Sequence, residues 1–129
     1  MQWWINMKIA DANIILRYLL NDNEELSERA ADILENNEIF IPNEVIAEVI
    51  YVLKGVYKIG SNEISDTLIE LFKYENLQFS NLEVLIEALN LFGKGKIDFV
   101  DALLYAYNKV DGHEVYTFDK KLNKLLKHN

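Results

Sequence analysis

Acidic side chains border several apolar segments of this chain, and they are the residues best suited to chemistry. Asp98 and Asp101 lie three residues apart at the start of the apolar stretch KIDFVDALLYA. As a structural pair they are the N-cap and the N3 residue of a helix, where the helix dipole favours negative charge. As a functional pair they bring two carboxylates together at one helix end.

Two further aspartates follow short apolar segments that are typical of buried strands. Asp11 follows KIA and Asp119 follows VYTF, and each precedes a segment with helical periodicity. The carboxyl ends of parallel strands meet at one edge of a sheet, where such sheets form their sites. A lone aspartate at a strand end is usually a helix cap. Two at one edge, together with Asp101, indicate a carboxylate cluster.

The fourth acid is Glu48, in the stretch NEVIAEVIYVL. Glu44 and Glu48 are four residues apart on one helical face and repel each other when both are ionised. Either this face is solvated and the repulsion is weak, or Glu48 points across the edge of the sheet toward Asp11. The residues alone leave both readings open.

Carboxylates that are brought together raise one another's pKa, and a hard divalent cation relieves their repulsion. Mg²⁺ and Mn²⁺ take oxygen ligands, and two such ions about 4 Å apart can activate water and stabilise the leaving oxygen in phosphodiester cleavage. The chain has no cysteine and two histidines. The acids therefore favour Mg²⁺ or Mn²⁺ over zinc.

Strands and helices alternate along the chain. This pattern predicts an α/β fold, a three-layer sandwich in which a central parallel sheet lies between helices. The predicted strands are Met7–Ala10, Glu38–Ile41, Leu77–Phe79 and Val115–Thr117.

Three predicted helices begin at residues that commonly cap helices. Asn43 is expected to cap the helix that carries Glu48, and Ser80 or Asn81 the helix Leu82–Phe92. Asp98 is expected to cap the helix that carries Asp101.

Composition sets the class of protein. The 129 residues are 50% hydrophobic with one proline, which predicts a single domain over residues 1–129. Residues 1–6 form an N-terminal extension of this domain. Its Trp3 and Trp4 either prolong the first strand or belong to an added segment. The net charge of −8 means that any contact with nucleic acid must be local. Without a signal peptide, a membrane-spanning apolar run or cysteine, we expect a cytoplasmic protein.

Four segments, in this order and spacing, resemble the PIN domain, and within it the VapC-type toxins of toxin–antitoxin pairs. The segments are KIADANIILRYLL, IPNEVIAEVIYVL, KIDFVDALLYAY and VYTFDKKLNK. The resemblance runs from Met7 to Lys124 and so covers nearly the whole chain.

The resemblance implies a parallel sheet with helices on both faces and an endoribonuclease that depends on Mg²⁺ or Mn²⁺. It implies that the catalytic, metal-binding acids are Asp11, Glu48, Asp101 and Asp119. In the same comparison Asn13 supports the site and Thr117 orients Asp119 or a substrate phosphate. Asp98 is then the helix cap, with a supporting role beside the site.

The resemblance also implies partners: an RNA substrate, a cognate antitoxin protein whose arginine or lysine approaches the acids, and a second copy of the chain in a homodimer. The candidate dimer residues lie on apolar helix faces of the first half, although core packing explains most of them: Leu16, Tyr18, Leu20, Val52 and Tyr57. Lysines near the predicted site can contact phosphates. They are Lys94, Lys96, Lys120, Lys121 and Lys124.

Two alternative functions stay open, a non-toxin PIN nuclease of RNA processing and a PIN-like module that binds RNA or protein with weak catalysis. Other enzyme classes are disfavoured. A haloacid-dehalogenase-type phosphotransferase needs a second aspartate where this chain has Asn13. His113, in a predicted turn, and His128, near the end, are not placed for serine hydrolase chemistry.

Overall fold

The computed structural model describes residues 7–127, which contain three strands and seven helices. The strands are β1 (Lys8–Ile9), β2 (Ile39–Ile41) and β3 (Leu77–Phe79). The helices are α1 (Ala12–Leu20), α2 (Glu24–Asn36), α3 (Asn43–Gly55), α4 (Ser61–Leu71), α5 (Leu82–Phe92), α6 (Phe99–Asp111) and α7 (Lys120–Lys127). The predictions for Trp3, Trp4 and His128 lie outside the described residues.

The described residues form two compact units. The first unit comprises residues 7–58 and 70–80, and the second comprises residues 59–69 and 81–127. No helix in the described range is both long enough and apolar enough to cross a membrane.

The sheet belongs to the first unit and confirms the predicted α/β fold with parallel strands. Its order is β1-β2-β3, and both neighbouring pairs are parallel. Ile9 pairs with Phe40, and Ile41 pairs with Phe79. Because all three strands run the same way, α1 and α3 both begin at the carboxyl edge of the sheet, directly after β1 and β2.

Aliphatic and aromatic side chains form the core of the first unit. Ile15, Ile41 and Val49 are completely buried, and the rings of Phe72 and Phe79 lie 4.5 Å apart between centroids. Leu16 is also buried. Core packing, the role expected for most of the candidate dimer residues, therefore accounts for Leu16.

The second unit is built around α5 and α6. The rings of Phe92 and Phe99 meet edge to face at 6.1 Å, and Leu89 is completely buried. The hydroxyl of Ser65 donates a 2.9 Å hydrogen bond to the carbonyl of Leu89. A Cβ atom at Gly93 would lie only 3.0 Å from the Cβ of Ser65, so glycine permits this close approach.

The predicted fourth strand, Val115–Thr117, is wrong. Residues 112–119 have no regular secondary structure, and Tyr116 and Phe118 are exposed. The β-branched and aromatic residues of this short segment suit a strand, but a strand also needs a neighbour for its backbone groups. Here the carbonyl of Thr117 instead accepts a 2.8 Å hydrogen bond from the side chain of Asn123.

The predicted cap of α3 is also wrong by one residue. Pro42 is the N-cap, and its carbonyl accepts hydrogen bonds from the N–H groups of Val45 and Ile46 at 3.0 and 3.2 Å. Asn43 is the first helical residue. Since Pro42 has no side-chain acceptor, this helix begins without a side-chain capping bond.

Candidate functional site

The helix α6 begins with the aspartate pair that the sequence singles out. Asp98 is its N-cap, and Oδ1 of Asp98 accepts a 3.1 Å hydrogen bond from the backbone N–H of Asp101. The predicted cap is therefore confirmed. Asp98 is exposed, whereas Asp101 is half-buried in the first turn of α6.

Asp119 caps α7 in the same way. Oδ1 of Asp119 accepts a 2.8 Å hydrogen bond from the N–H of Leu122. The hydroxyl oxygen of Thr117 accepts a 3.0 Å hydrogen bond from the N–H of Asp119. The two hydrogen bonds hold the Asp119 backbone at the start of α7. The capping bond is accepted by Oδ1 of the Asp119 carboxylate, and Oδ2 takes no part in it.

Asp98, Asp101 and Asp119, which we call the acidic cluster, act on one another electrostatically within the second unit. Burial raises the pKa of the Asp101 carboxyl above its ordinary value, and the negative charges of Asp98 and Asp119 raise it further. A hydrogen bond between the side chains of Asp98 and Asp101 acts in the same direction. Such a perturbed carboxyl marks a candidate functional site.

The other two predicted acids belong to the first unit. Asp11 follows β1 at the carboxyl edge of the sheet and caps α1, since its Oδ1 accepts a 3.1 Å hydrogen bond from the N–H of Ile14. Asn13 is exposed in the first turn of the same helix. Glu48 and Glu44 are both exposed on α3. These side chains are therefore open to solvent and to ligands.

The donor atoms of the acidic cluster suit a hard divalent cation. All are carboxylate oxygens, and Mg²⁺ is usually held by one or two carboxylates with several waters. Among residues 7–127, no three histidine, cysteine, aspartate or glutamate side chains are grouped so that they could hold a metal ion. A cation here would therefore be held by no more than two of these carboxylates, with water as its remaining ligands.

A groove close to the acidic cluster in sequence was not predicted. Leu91, Ile97 and Leu125 form its apolar lining, and lysines line it as well. The sequence held two signals for it. All four lining lysines were among the candidates for phosphate contacts, and α7 forms from the lysine- and leucine-rich stretch KKLNKLLK.

The fold and the acids define the class of protein. Residues 8–127 match the family model for the PIN domain, so this chain belongs to the PIN domain family, and the predicted resemblance is confirmed. A VapC ribonuclease of Aquifex aeolicus (strain VF5) is 27% identical to it over 124 residues, which cover 92% of this chain and 92% of that protein. No solved structure matches this chain significantly.

Proposed function

We propose that this chain is a metal-dependent endoribonuclease, the toxin of a toxin–antitoxin pair. The observation that carries the proposal is the place of Asp101 in a PIN-family chain: it lies half-buried in the first turn of α6, beside the capping carboxylate of Asp98. The similarity to a protein named VapC ribonuclease supports RNA as the substrate.

Each acid has a proposed role. Asp101 and Asp119 hold Mg²⁺ or Mn²⁺, and Asp11 and Glu48 are the remaining catalytic and metal-binding acids. A bound divalent cation supplies a lowered pKa for water and stabilisation of the leaving oxygen. The chain's own contribution is to position these acids. Oδ1 of Asp98 accepts a 3.1 Å hydrogen bond from the N–H of Asp101 and so holds the first turn of α6, on which Asp101 lies.

Two neutral side chains support these acids. Thr117 holds the backbone of Asp119 through the 3.0 Å hydrogen bond from the Asp119 N–H. Asn13 lies two residues after Asp11 in the first turn of α1, from where its amide can contact a ligand of Asp11. Both side chains keep catalytic groups in place and neither exchanges a proton.

A cleavage assay tests the proposed reaction. Purified protein should cut single-stranded or loop RNA in Mg²⁺ or Mn²⁺, stop on addition of EDTA, and leave 5′-phosphate and 3′-hydroxyl ends. Asp101→Asn should abolish cleavage and weaken Mn²⁺ binding in calorimetry, whereas Asp66→Asn, an equal charge change at an exposed site on α4, should not. Activity undiminished by EDTA, or a 2′,3′-cyclic phosphate product, contradicts the mechanism.

The proposed partners are an antitoxin and a second copy of the chain, acting in the cytoplasm. An arginine of the antitoxin can form paired hydrogen bonds with a carboxylate of the site and so inhibit it. Co-expression with the product of the adjacent gene, followed by sizing and a cleavage assay, tests both partners. A monomer that cuts RNA equally well with and without that product supports the alternative, a PIN nuclease of RNA processing.

A further inference from the structure

The second unit contains a groove of about 370 Å³ between the end of α5, the following loop and α7. We call it the lysine groove. Its volume lies near the lower end of the range for small-ligand pockets, roughly 300–1,000 Å³. Three aliphatic and four cationic side chains line it: Leu91, Ile97, Leu125, Lys94, Lys96, Lys121 and Lys124.

Backbone hydrogen bonds and a glycine shape the loop that forms one wall of the groove. The N–H of Lys94 donates to the carbonyl of Leu91 at 3.2 Å, and the N–H of Gly95 donates to the carbonyl of Phe92 at 2.9 Å. Gly95 has a φ of 83°, a left-handed conformation that disfavours residues with a side chain. The loop therefore has a defined path, which presents Lys94 and Lys96 on either side of Gly95.

A side-chain contact joins this loop to α7. Nζ of Lys121 donates a hydrogen bond to the carbonyl of Lys96. Lys121 is thus engaged in holding the groove together, while Lys94, Lys96 and Lys124 present exposed ammonium groups. Three cations are therefore available to a ligand at one place on a chain whose net charge is −8.

The groove and the acidic cluster share two segments of the chain. Lys96 lies two residues before Asp98, and Lys121 lies two residues after Asp119. The contact between Lys121 and Lys96 therefore links the two segments that carry these acids. A ligand in the groove therefore contacts the same two segments that carry Asp98 and Asp119.

We propose that the lysine groove binds the RNA strand next to the bond that is cut. Phosphates contact Lys94, Lys96 and Lys124, and a ribose or base face packs on the aliphatic lining. The inference rests on the proposed ribonuclease function. It assigns a binding place to the nucleotides beside the cleaved bond, which the acids do not contact. Cationic grooves that follow a sugar–phosphate backbone are the usual design of sites for single strands.

The other polyanion to consider is an acidic peptide. Every charged lining residue is a lysine, which binds phosphate as a point charge and suits a ligand with regularly repeated negative charge. RNA also offers the phosphodiester that the acidic cluster is proposed to cut. A peptide would satisfy the lysines but leave their position beside the acids unexplained.

Binding of a fluorescent oligoribonucleotide of about ten nucleotides tests the proposal, since single-strand sites span roughly 4–16 nucleotides. Anisotropy is measured with Ca²⁺ in place of Mg²⁺, and a gel verifies that the RNA stays intact. The test variant is Lys96→Gln/Lys124→Gln. The matched control is Lys73→Gln/Lys127→Gln, which removes the same charge from exposed lysines outside the groove.

The groove variant should bind RNA on the order of tenfold more weakly than the unaltered protein at about 0.1 M salt. The slope of log binding constant against log salt concentration should become shallower by about 0.7 for each phosphate that the variant no longer neutralises. The control should bind like the unaltered protein. Equal affinities of the two variants overturn the groove proposal, and continued cleavage by both then leaves the nuclease function standing. If the unaltered protein neither binds nor cuts RNA, the proposed function itself fails.

A glutamate-rich peptide of the same length is the competing probe. It should not displace the oligoribonucleotide from the unaltered protein at concentrations where unlabelled RNA does. If the groove variant loses the peptide but keeps its affinity for RNA, the groove is a protein-docking site and the proposal is wrong.

Discussion

Oδ1 of Asp98 accepts a 3.1 Å hydrogen bond from the backbone N–H of Asp101, so one aspartate caps the helix on which the other is displayed. The pair thus divides two roles, and Asp98 takes the capping role that the sequence predicted for it. Asp98 satisfies a helix N-terminus, and Asp101, half-buried beside it, has its pKa raised by that burial and by the neighbouring charges.

This division predicts different results for two substitutions of Asp98. Asp98→Asn should keep most of the cleavage activity and the stability, because asparagine caps helices about as well as aspartate. Asp98→Ala should lower the free energy of unfolding by about 1 kcal/mol through loss of the cap. Urea denaturation and initial cleavage rates measure both. If Asp98→Asn loses as much activity as Asp101→Asn, Asp98 is itself a metal ligand.

Asp101→Asn should raise the thermal midpoint of the metal-free protein at neutral pH. The pKa of Asp101 is higher in the folded than in the unfolded protein, so protonated Asp101 favours the folded state. This stabilising contribution is fully present below the unfolded-state pKa and is lost as the pH rises through the folded-state pKa. Ionised Asp101 therefore costs stability at neutral pH, and the advantage of asparagine should shrink as the pH falls. Thermal scans in EDTA, with Asp66→Asn as control, measure it; a lowered midpoint at neutral pH contradicts the prediction.

Asp11→Asn should abolish cleavage while the protein stays folded. Asparagine can still accept the hydrogen bond from the N–H of Ile14 and so preserve the cap of α1. Loss of one carboxylate should weaken metal binding, which titration with Mn²⁺ measures directly. Full turnover of the variant at saturating metal would reduce Asp11 to a cap alone.

Glu48→Gln should lose most of the cleavage activity, whereas Glu44→Gln should retain it. Both residues are exposed on α3, four positions apart, so the two variants remove the same charge from the same helix. Cleavage rates at several Mn²⁺ concentrations compare them. Equal activities would show that this face of α3 is simply solvated, the alternative that the residues left open.

Two glycine substitutions should have opposite effects on stability. Gly95→Ala should lower the free energy of unfolding by about 1 kcal/mol, because its φ of 83° strains any residue with a Cβ atom. Gly55→Ala should raise it by about 0.5 kcal/mol, because it ends α3 with open space around it. Urea denaturation measures both. A Gly95→Ala protein as stable as the unaltered one would show that the loop relaxes without cost.

Local sequence was sufficient for features that depend on neighbouring residues. β3 and α5 have the predicted bounds, and the side chain of Asn81 caps α5 as expected. The caps at Asp98 and Asn81 could be predicted because each side chain and the N–H that it binds are three residues apart. Asn43 was misjudged because the residue before it, Pro42, is the N-cap of α3 even though it has no side-chain acceptor to signal a cap.

The tertiary structure decided the features that join distant parts of the chain. The short apolar segment could not show whether Val115–Thr117 finds a strand partner, and these residues form no strand. The influence of Asp119 on Asp101 and the bond from Lys121 to the carbonyl of Lys96 likewise depend on packing. Sequence by itself therefore determined the helical periodicity, the caps at Asp98 and Asn81, and the family. Only the folded chain determined which charges meet, because Coulomb energies and hydrogen bonds depend on distance in space, which spacing along the chain does not supply.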